Sequence, residues 1–420
     1  MILPRLAYHS LKNRKFTTVL TLASIAISVA LLLGVEKTRL GARDSFNNTI
    51  SQTDLIVGAR GGPIQLLLYA VFHMGDATNN ISHKSYLHYK NDPRVEWTIP
   101  YSLGDSHRGF RVVATNEDFY QHYHYRQDHG LVMGEGKAAS DVFDVVLGAD
   151  VASLLHYQLG QPVILSHGVS EGGGLEHSDK PFHVVGILDR TATPIDRSLY
   201  ITLEGMEAIH IDWQSGAPPE PGHETPVEKI KKENIKIDQI TAFLLRTKSR
   251  IQAIYLEREI DTYEGEPLLA IIPGVALSQL WQGISYAEDG LRLITVFVVI
   301  SGFLGMLIAL YTSLNERRRE MAILRAVGAG PKKILFLLVL ESTLLSSGGI
   351  LIGTGLVYLL LIIGQPMIER QFGLFLPIKP LSVPEWIYLG ATFSGGVLIG
   401  LVPAWKAFRN SLTDGLTIRV

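Results

Sequence analysis

The sequence contains no cysteine. That absence excludes disulfides, thiolate metal sites and cysteine nucleophiles. It leaves the compartment open, because a large domain outside the cytoplasm buries enough apolar surface to fold without covalent staples. Also missing is the phosphate loop G-x-x-x-x-G-K-[ST], so the chain does not bind ATP by that motif, and the run Gly172–Gly174 is too short to replace it. Net charge is almost absent too, at 38 Lys+Arg against 40 Asp+Glu. What is abundant is apolar residues, 47% of the chain, with a mean hydropathy of +0.20 that is high for a soluble protein of 420 residues.

The apolar excess sits in four blocks: Phe16–Val35, Leu291–Leu314, Ile334–Ile363 and Trp386–Val402. Each is near the ~20 residues that a bilayer core requires. A cleaved signal peptide is the alternative for the first block, but the run is longer than an h-region and no small-residue cleavage site follows it. The second block is expected to continue a helix that begins outside the membrane near Ala276, with Leu277, Leu280, Trp281 and Ile284 on one face.

Orientation follows from basic residues. Residues 1–15 carry four Lys/Arg and no acid; the loop 315–333 carries Arg317, Arg318, Arg319, Arg325, Lys332 and Lys333 against Glu316 and Glu320. The tail 403–420 is basic, whereas the loop 364–385 is balanced. Both termini and the 315–333 loop are therefore expected in the cytoplasm, and residues 36–290 on the periplasmic side of a bacterial inner membrane. That insert holds 22 Lys/Arg, 34 Asp/Glu and 13 of the 14 histidines, as expected of an acidic soluble domain. Asp144–Leu147, Pro162–Leu165, His183–Ile187 and Leu199–Thr202 read as strands, Asp150–Tyr157 and Lys248–Tyr263 as helices, and Ser215–Lys236 as an exposed loop. The expected fold is an α-helical integral membrane protein with four transmembrane helices. A large α/β (α+β) extracytoplasmic domain, with stalk helices at both ends, is inserted between the first and second. Pro4–Phe16, with Leu6, Ala7 and Leu11 on one face, suits a helix lying in the cytoplasmic interface.

Asn315–Ile334, NERRREMAILRAVGAGPKKI, is the most specific segment: a charged helix, a Gly turn at Gly328–Gly330 and a restart at Pro331, where a helix tolerates proline. On physics alone it is either a helix that docks on a partner or a basic loop that enforces topology. The segment resembles the signature of the MacB/FtsX superfamily of ABC permeases, an RRRE-like run followed by R-A-x-G-A. Leu6–Ala30, LAYHSLKNRKFTTVLTLASIAISVA, is similar to the family's entry into its first span, and Pro403–Leu416, PAWKAFRNSLTDGL, to its closing P-A-x-x-A element. The resemblance implies mechanotransmission, in which closure of cytoplasmic ATPases is relayed to the external domains. It implies a separate ABC ATPase subunit that binds ATP and Mg, a second permease chain pairing as a homodimer, and a periplasmic adaptor or substrate-binding protein as a further partner. The chain itself is expected to bind no cofactor and no nucleic acid and to be no enzyme. Coupling then falls on Glu316, Arg317, Arg318, Arg319, Glu320, Met321, Leu324, Arg325 and Gly328, with Met321 and Leu324 as the apolar contacts.

Inside the membrane, Ser301/Gly305, Gly349/Gly353 and Gly396/Gly400 place small residues four apart, which lets helices approach closely. Glu341 is an ionisable group in a span, a costly feature read here as structural or conformational. His122 and His124 (with His129) form one histidine cluster and His167, His177 and His183 another; they are candidate metal ligands, although neither has H-E-x-x-H spacing. Exposed polar loops are the alternative reading. Two rival functions are a membrane-tethered metallohydrolase, which leaves three spans unexplained, and a sensor or activator of a periplasmic partner, whose external domain is ordinarily smaller. The cargo stays open among a lipoprotein, a hydrophobic small molecule, a peptide and a metal-linked ligand.

Overall fold

Apolar residues that alternate along the strands of the 36–290 insert divide between two cores. Leu55, Val57 and Ala59 join one cluster while Ile56 joins the other; Val112 and Ala114 oppose Val113; Phe243 and Leu245 oppose Ala242 and Leu244. A strand with apolar side chains on both faces must be covered on both. In this computed structural model, which describes residues 2–168, 175–213, 225–316, 318–372 and 378–409, helices do that. Tyr86 and Tyr89 of His83–Lys90, Val151 of Ala149–Leu155, and Leu256 and Ile260 of Arg250–Asp261 fill one core. Leu66 and Leu67 of Pro63–Val71 and Phe119 of Glu117–His122 fill the other.

The sheet has 11 strands among the described residues. Its path runs Leu268–Ile271, Leu55–Ala59, Ala242–Thr247, Val95–His107, Phe110–Thr115, Ser198–Thr202, Asp144–Leu147, Phe182–Leu188 and Met133–Gly136. Two pairs are parallel, Ser198–Thr202 with Phe110–Thr115 and Phe182–Leu188 with Asp144–Leu147; the other pairs are antiparallel. Two short strands lie off the path: Pro162–Val163 on Phe182–Leu188, and Ser166–His167 on the end of Val95–His107. The chain divides into two units, one made of Met1–Gly41, Ser285–Met367 and Leu376–Val420 and the other of Ala42–Ile284 and Ile368–Phe375.

Some expected bounds shift. The helix expected over Asp150–Tyr157 stops at Leu155, because His156 takes a left-handed conformation (φ 58°) and caps it. The strand expected over Pro162–Leu165 is only Pro162–Val163. Val227–Lys229 and Lys232–Asn234 are single 3-10 turns, and residues 215–224 of the expected loop lie outside the described ones. Leu277 is buried and Leu280 packs on the same cluster, with Trp281 edge-on to Phe46, but Ile284 is exposed and does not share that face.

Among the described residues, four helices, mostly within the other unit, are long and apolar enough to cross a membrane: Lys15–Asn47, Pro273–Thr312, Pro331–Ile368 and Val383–Lys406. They are called the first to fourth apolar helices below. A separate helix, Ile2–Asn13, precedes them, with Ala7 fully buried and Leu11 packed on the core of this unit. The four are seamed by glycine. A Cβ on Gly349 would lie 2.5 Å from Ile25, and one on Gly353 2.6 Å from the Ala26 carbonyl and 2.8 Å from Val29. Gly396 and Gly400 of the fourth helix face Ser346 and Ser342 of the third in the same way. On the second helix the close contact is made by Gly302, against Ser28, whereas Gly305 keeps ordinary distance from Ser24 and Ser301 is exposed. Of the expected Ser301/Gly305 pair, Gly305 keeps to the seam and Ser301 does not; Gly302, three residues before Gly305 and so on the same face, takes its place.

Ion pairs close one end of this bundle. Lys37 lies 3.3 Å from Glu385 and over the Tyr358 ring, and Arg39 bridges Glu36 and Glu288. Glu385 also accepts from Ser382 N–H at 2.6 Å and its hydroxyl at 2.8 Å, capping the fourth helix.

Two substitutions test this packing by thermal unfolding of the full chain in detergent. Gly353→Leu forces the first and third helices apart and is expected to cost about 1–3 kcal/mol or more, whereas Ser301→Leu stays within about 0.5 kcal/mol of the parent. Equal effects at the two positions would remove the glycine seam as a determinant. In the external unit Gly148→Ala is expected to cost about 1–3 kcal/mol, because its Cβ would meet backbone atoms of Ile195 and Asp196, which cannot rotate away.

Candidate functional site

The segment between the second and third apolar helices is built by local rules. The helix Arg318–Ala326 ends where the N–H of Ala329 donates to the Leu324 carbonyl and that of Gly328 to the Arg325 carbonyl. This is a Schellman closure, and it needs a left-handed residue at the turn. Gly328 supplies it, with φ +94°. Pro331 then opens the next helix at the position where a missing N–H costs nothing.

Arg317 lies outside the described residues, as do the side chains of Glu316, Arg318, Arg319 and Glu320. The apolar residues are distributed differently from the expectation. Met321 packs against Ile334, Leu338 and Ala404 of its own unit, and Leu324 and Arg325 are half-buried. Ile323 and Val327 are the exposed ones, 56% and 83% exposed. They lie four apart and so share one face, offset from the Met321 face by the helical turn. The periodicity was readable in the sequence; which apolar stripe turns inward was not. Glu341 is buried within this unit and engaged with its surroundings.

The histidines separate into two kinds. His122 stacks on Trp97 at 5.5 Å, His124 bonds the His122 carbonyl through Nδ1, and His183 is exposed on its strand. None of the three joins a cluster of ligand-type groups among the described residues. His167 and His177 do, together with Asp105 and His210, and the ligand atoms of these four lie within 4.8 Å of one another.

Cross-strand register sets His167 opposite Asp105. The His167 N–H donates to the Leu175 carbonyl and the His177 N–H to that of Leu165, so His177 returns beside His167. His210 follows the helix Leu203–Ile209, and its Nδ1 bonds the Met206 carbonyl at 2.8 Å, leaving Nε2 toward the cluster. Burial drives His177 down to about 4. For His210 burial also works against the charged form, but the Asp105 carboxylate outweighs it and the group sits above its ordinary value. Asp105 and His210 carry no motif, and each is more than 30 positions from His177; the strand register and the helix end bring them in.

Comparison with known proteins places the chain. The MacB-like periplasmic core domain matches residues 18–253, and the FtsX-like permease C-terminal region matches residues 292–412. The chain is 22% identical to the macrolide export ATP-binding/permease protein MacB of Wolinella succinogenes over 96% of this chain and 59% of that protein. It therefore spans about three fifths of the length of such relatives. An ABC transporter permease of Methanocaldococcus jannaschii is 21% identical, with 95% of this chain and 93% of that one covered. The solved periplasmic region of MacB from Actinobacillus actinomycetemcomitans covers 55% of this chain and 94% of its own at 10% identity and a TM-score of 0.33, a likeness that carries no argument by itself. With one match covering more than half of the chain and the second continuing through the last apolar helices, the chain belongs to the ABC transporter permeases with a MacB-like periplasmic core domain and an FtsX-like C-terminal region.

Proposed function

We propose that this chain is the membrane subunit through which a separate cytoplasmic ABC ATPase drives movement of the external domain. The observation that carries the reading is the exposed Ile323–Val327 pair on a helix stopped by Gly328 and restarted at Pro331. An amphipathic helix that hides Met321 in its own bundle and leaves a second apolar pair in water is made to be covered by something else. The six Lys/Arg between residues 315 and 333 favour the cytoplasm for it. Both termini then share that side, and the core domain faces the periplasm from the inner membrane.

ATP and Mg belong to the partner in this reading. The two helices that carry the chain between its units, Lys15–Asn47 and Pro273–Glu316, are each longer than one bilayer crossing needs. They suit transmission of motion along a rod better than formation of a pore. A second copy of the chain completes the two-fold assembly, an adaptor or substrate-binding protein is a further partner on the periplasmic side, and the cargo is a periplasmic or membrane-derived molecule.

The test is purification of the tagged chain in mild detergent, with the co-purifying protein identified by mass spectrometry and assayed for ATP hydrolysis. The parent is expected to bring down an ABC ATPase. Ile323→Asp combined with Val327→Asp is expected to lower its recovery by about 30-fold or more, as for a binding hot spot, with the chain's own melting temperature unchanged. Met321→Asp is expected to lower that melting temperature, since it puts a charge into the chain's own packing. A parent chain that purifies without an ATPase in several detergents would overturn the proposal and favour a sensor or activator role.

A further inference from the structure

We propose that Asp105, His167, His177 and His210 form a binding site for a divalent first-row transition ion, with zinc the best match. The argument begins with unsatisfied groups. Asp105 and His177 are fully buried; the Asp105 carboxylate faces the rings of His167 and His210, and neither ring nitrogen of His177 has a hydrogen-bond partner among the described residues. A buried acceptor or donor left unpaired costs about 1–3 kcal/mol, and more if charged. A buried imidazole with both nitrogens unpaired, beside a buried carboxylate, is an unusual expense for a chain to retain.

Geometry supplies the explanation. Around a tetrahedral ion with ligands at about 2.0–2.1 Å, neighbouring ligand atoms lie about 3.3–3.5 Å apart. Here His167 Nδ1 is 3.2 Å from Asp105 Oδ1 and 3.1 Å from His210 Nε2, and His210 Nε2 is 3.6 Å from Asp105 Oδ2. Both imidazoles lie at ion-pair distance from the carboxylate, and His167 Nδ1 and His210 Nε2 are within hydrogen-bond distance of each other. The donor atoms of these three residues are thus at the spacing an ion imposes, and that of His177 lies within 4.8 Å of each of them.

The tautomer agrees. His210 Nδ1 carries its proton to the Met206 carbonyl, so Nε2 presents a lone pair, the arrangement by which an outer hydrogen bond orients a metal-bound imidazole. Three imidazoles and one carboxylate suit zinc and its neighbours; calcium and magnesium require oxygen ligands. Trp213 covers the group, its ring 4.4 Å from His177 and 5.5 Å from His167. The His167 side chain is 49% exposed and gives the ion a way in.

The probe is the metal alone, added to the full chain in mild detergent after chelator treatment. Cobalt(II) is expected to bind one per chain with the visible absorption of a four-coordinate ion, and zinc to displace it. Calcium and magnesium are expected not to compete. His167→Gln and Asp105→Asn are expected to weaken zinc binding by at least about 10–100-fold, the range seen when even an outer-sphere partner is lost. His183→Gln and His124→Gln are expected to bind as the parent does. Zinc should raise the melting temperature of the parent and not of His167→Gln. His167 is half exposed, so this variant is expected to melt like the metal-free parent and keeps the test valid if Asp105→Asn fails to fold. An unchanged cobalt spectrum and affinity in His167→Gln would overturn the site, as would a six-coordinate spectrum in the parent or an equal loss in His183→Gln.

Discussion

Close approach of helix backbones is the constraint on which the membrane unit rests. In lipid no hydrophobic drive brings one apolar helix to another, so association relies on dispersion contacts and interhelical hydrogen bonds, both of which require short separations. Gly349 and Gly353 permit that separation between the third helix and the first, and Gly396 and Gly400 between the fourth and the third. Gly302 does the same for the second helix, and there the Ser28 hydroxyl also reaches the Val298 carbonyl at 3.2 Å. Leu, Ile and Phe are left to face outward, as Leu351, Ile363, Leu293 and Phe297 do. The polar ends are then fastened by charge: Lys37, Arg39, Glu36, Glu288 and Glu385 form pairs where the apolar stretch of the first helix has ended.

The external domain obeys the opposite logic. Water drives its collapse, and a sheet covered on both faces leaves little room for chemistry in its middle. The Asp105 group accordingly sits where the long strand Val95–His107 approaches its end and short segments converge on it. Nearby, Lys180 is fully buried between Asp179 and Asp212, at 2.5 and 2.8 Å, and these pairs anchor the segment that carries His177 against the one that follows His210. Burying a charge in this way is tolerable only when partners of opposite sign are in contact with it.

Much of this was legible in the sequence because it depends on local periodicity or on composition. The apolar runs, the turn at Gly328, the restart at Pro331 and the strands around Asp144–Leu147 and Leu199–Thr202 each follow from residues close together in the chain. The remainder depends on rotation and register. Ser301 falls on the exposed side of its helix, and its neighbour Gly302 makes the close contact on the face that it shares with Gly305. The choice between Met321 and Ile323 as the inward residue is made by Ile334, Leu338 and Ala404, two of them on the third helix and one on the fourth. The histidine set shows the same limit. Nearness in sequence suggested His183, which the strand Phe182–Leu188 leaves exposed, and gave no hint of Asp105 or His210, which antiparallel pairing and a helix end deliver.

The strand that carries His167 is two residues long and pairs with only the Asp105–Ser106 end of its neighbour. Protection from local opening scales with the number of buried contacts that must break, and a pairing this short is drawn from the low end of that range. Whatever the four side chains hold would therefore leave at a rate set by fraying of this short strand from Asp105–Ser106 and from the Leu175–His177 segment, with the nine-strand path of the sheet intact behind it. Residence time and fold stability are thereby uncoupled.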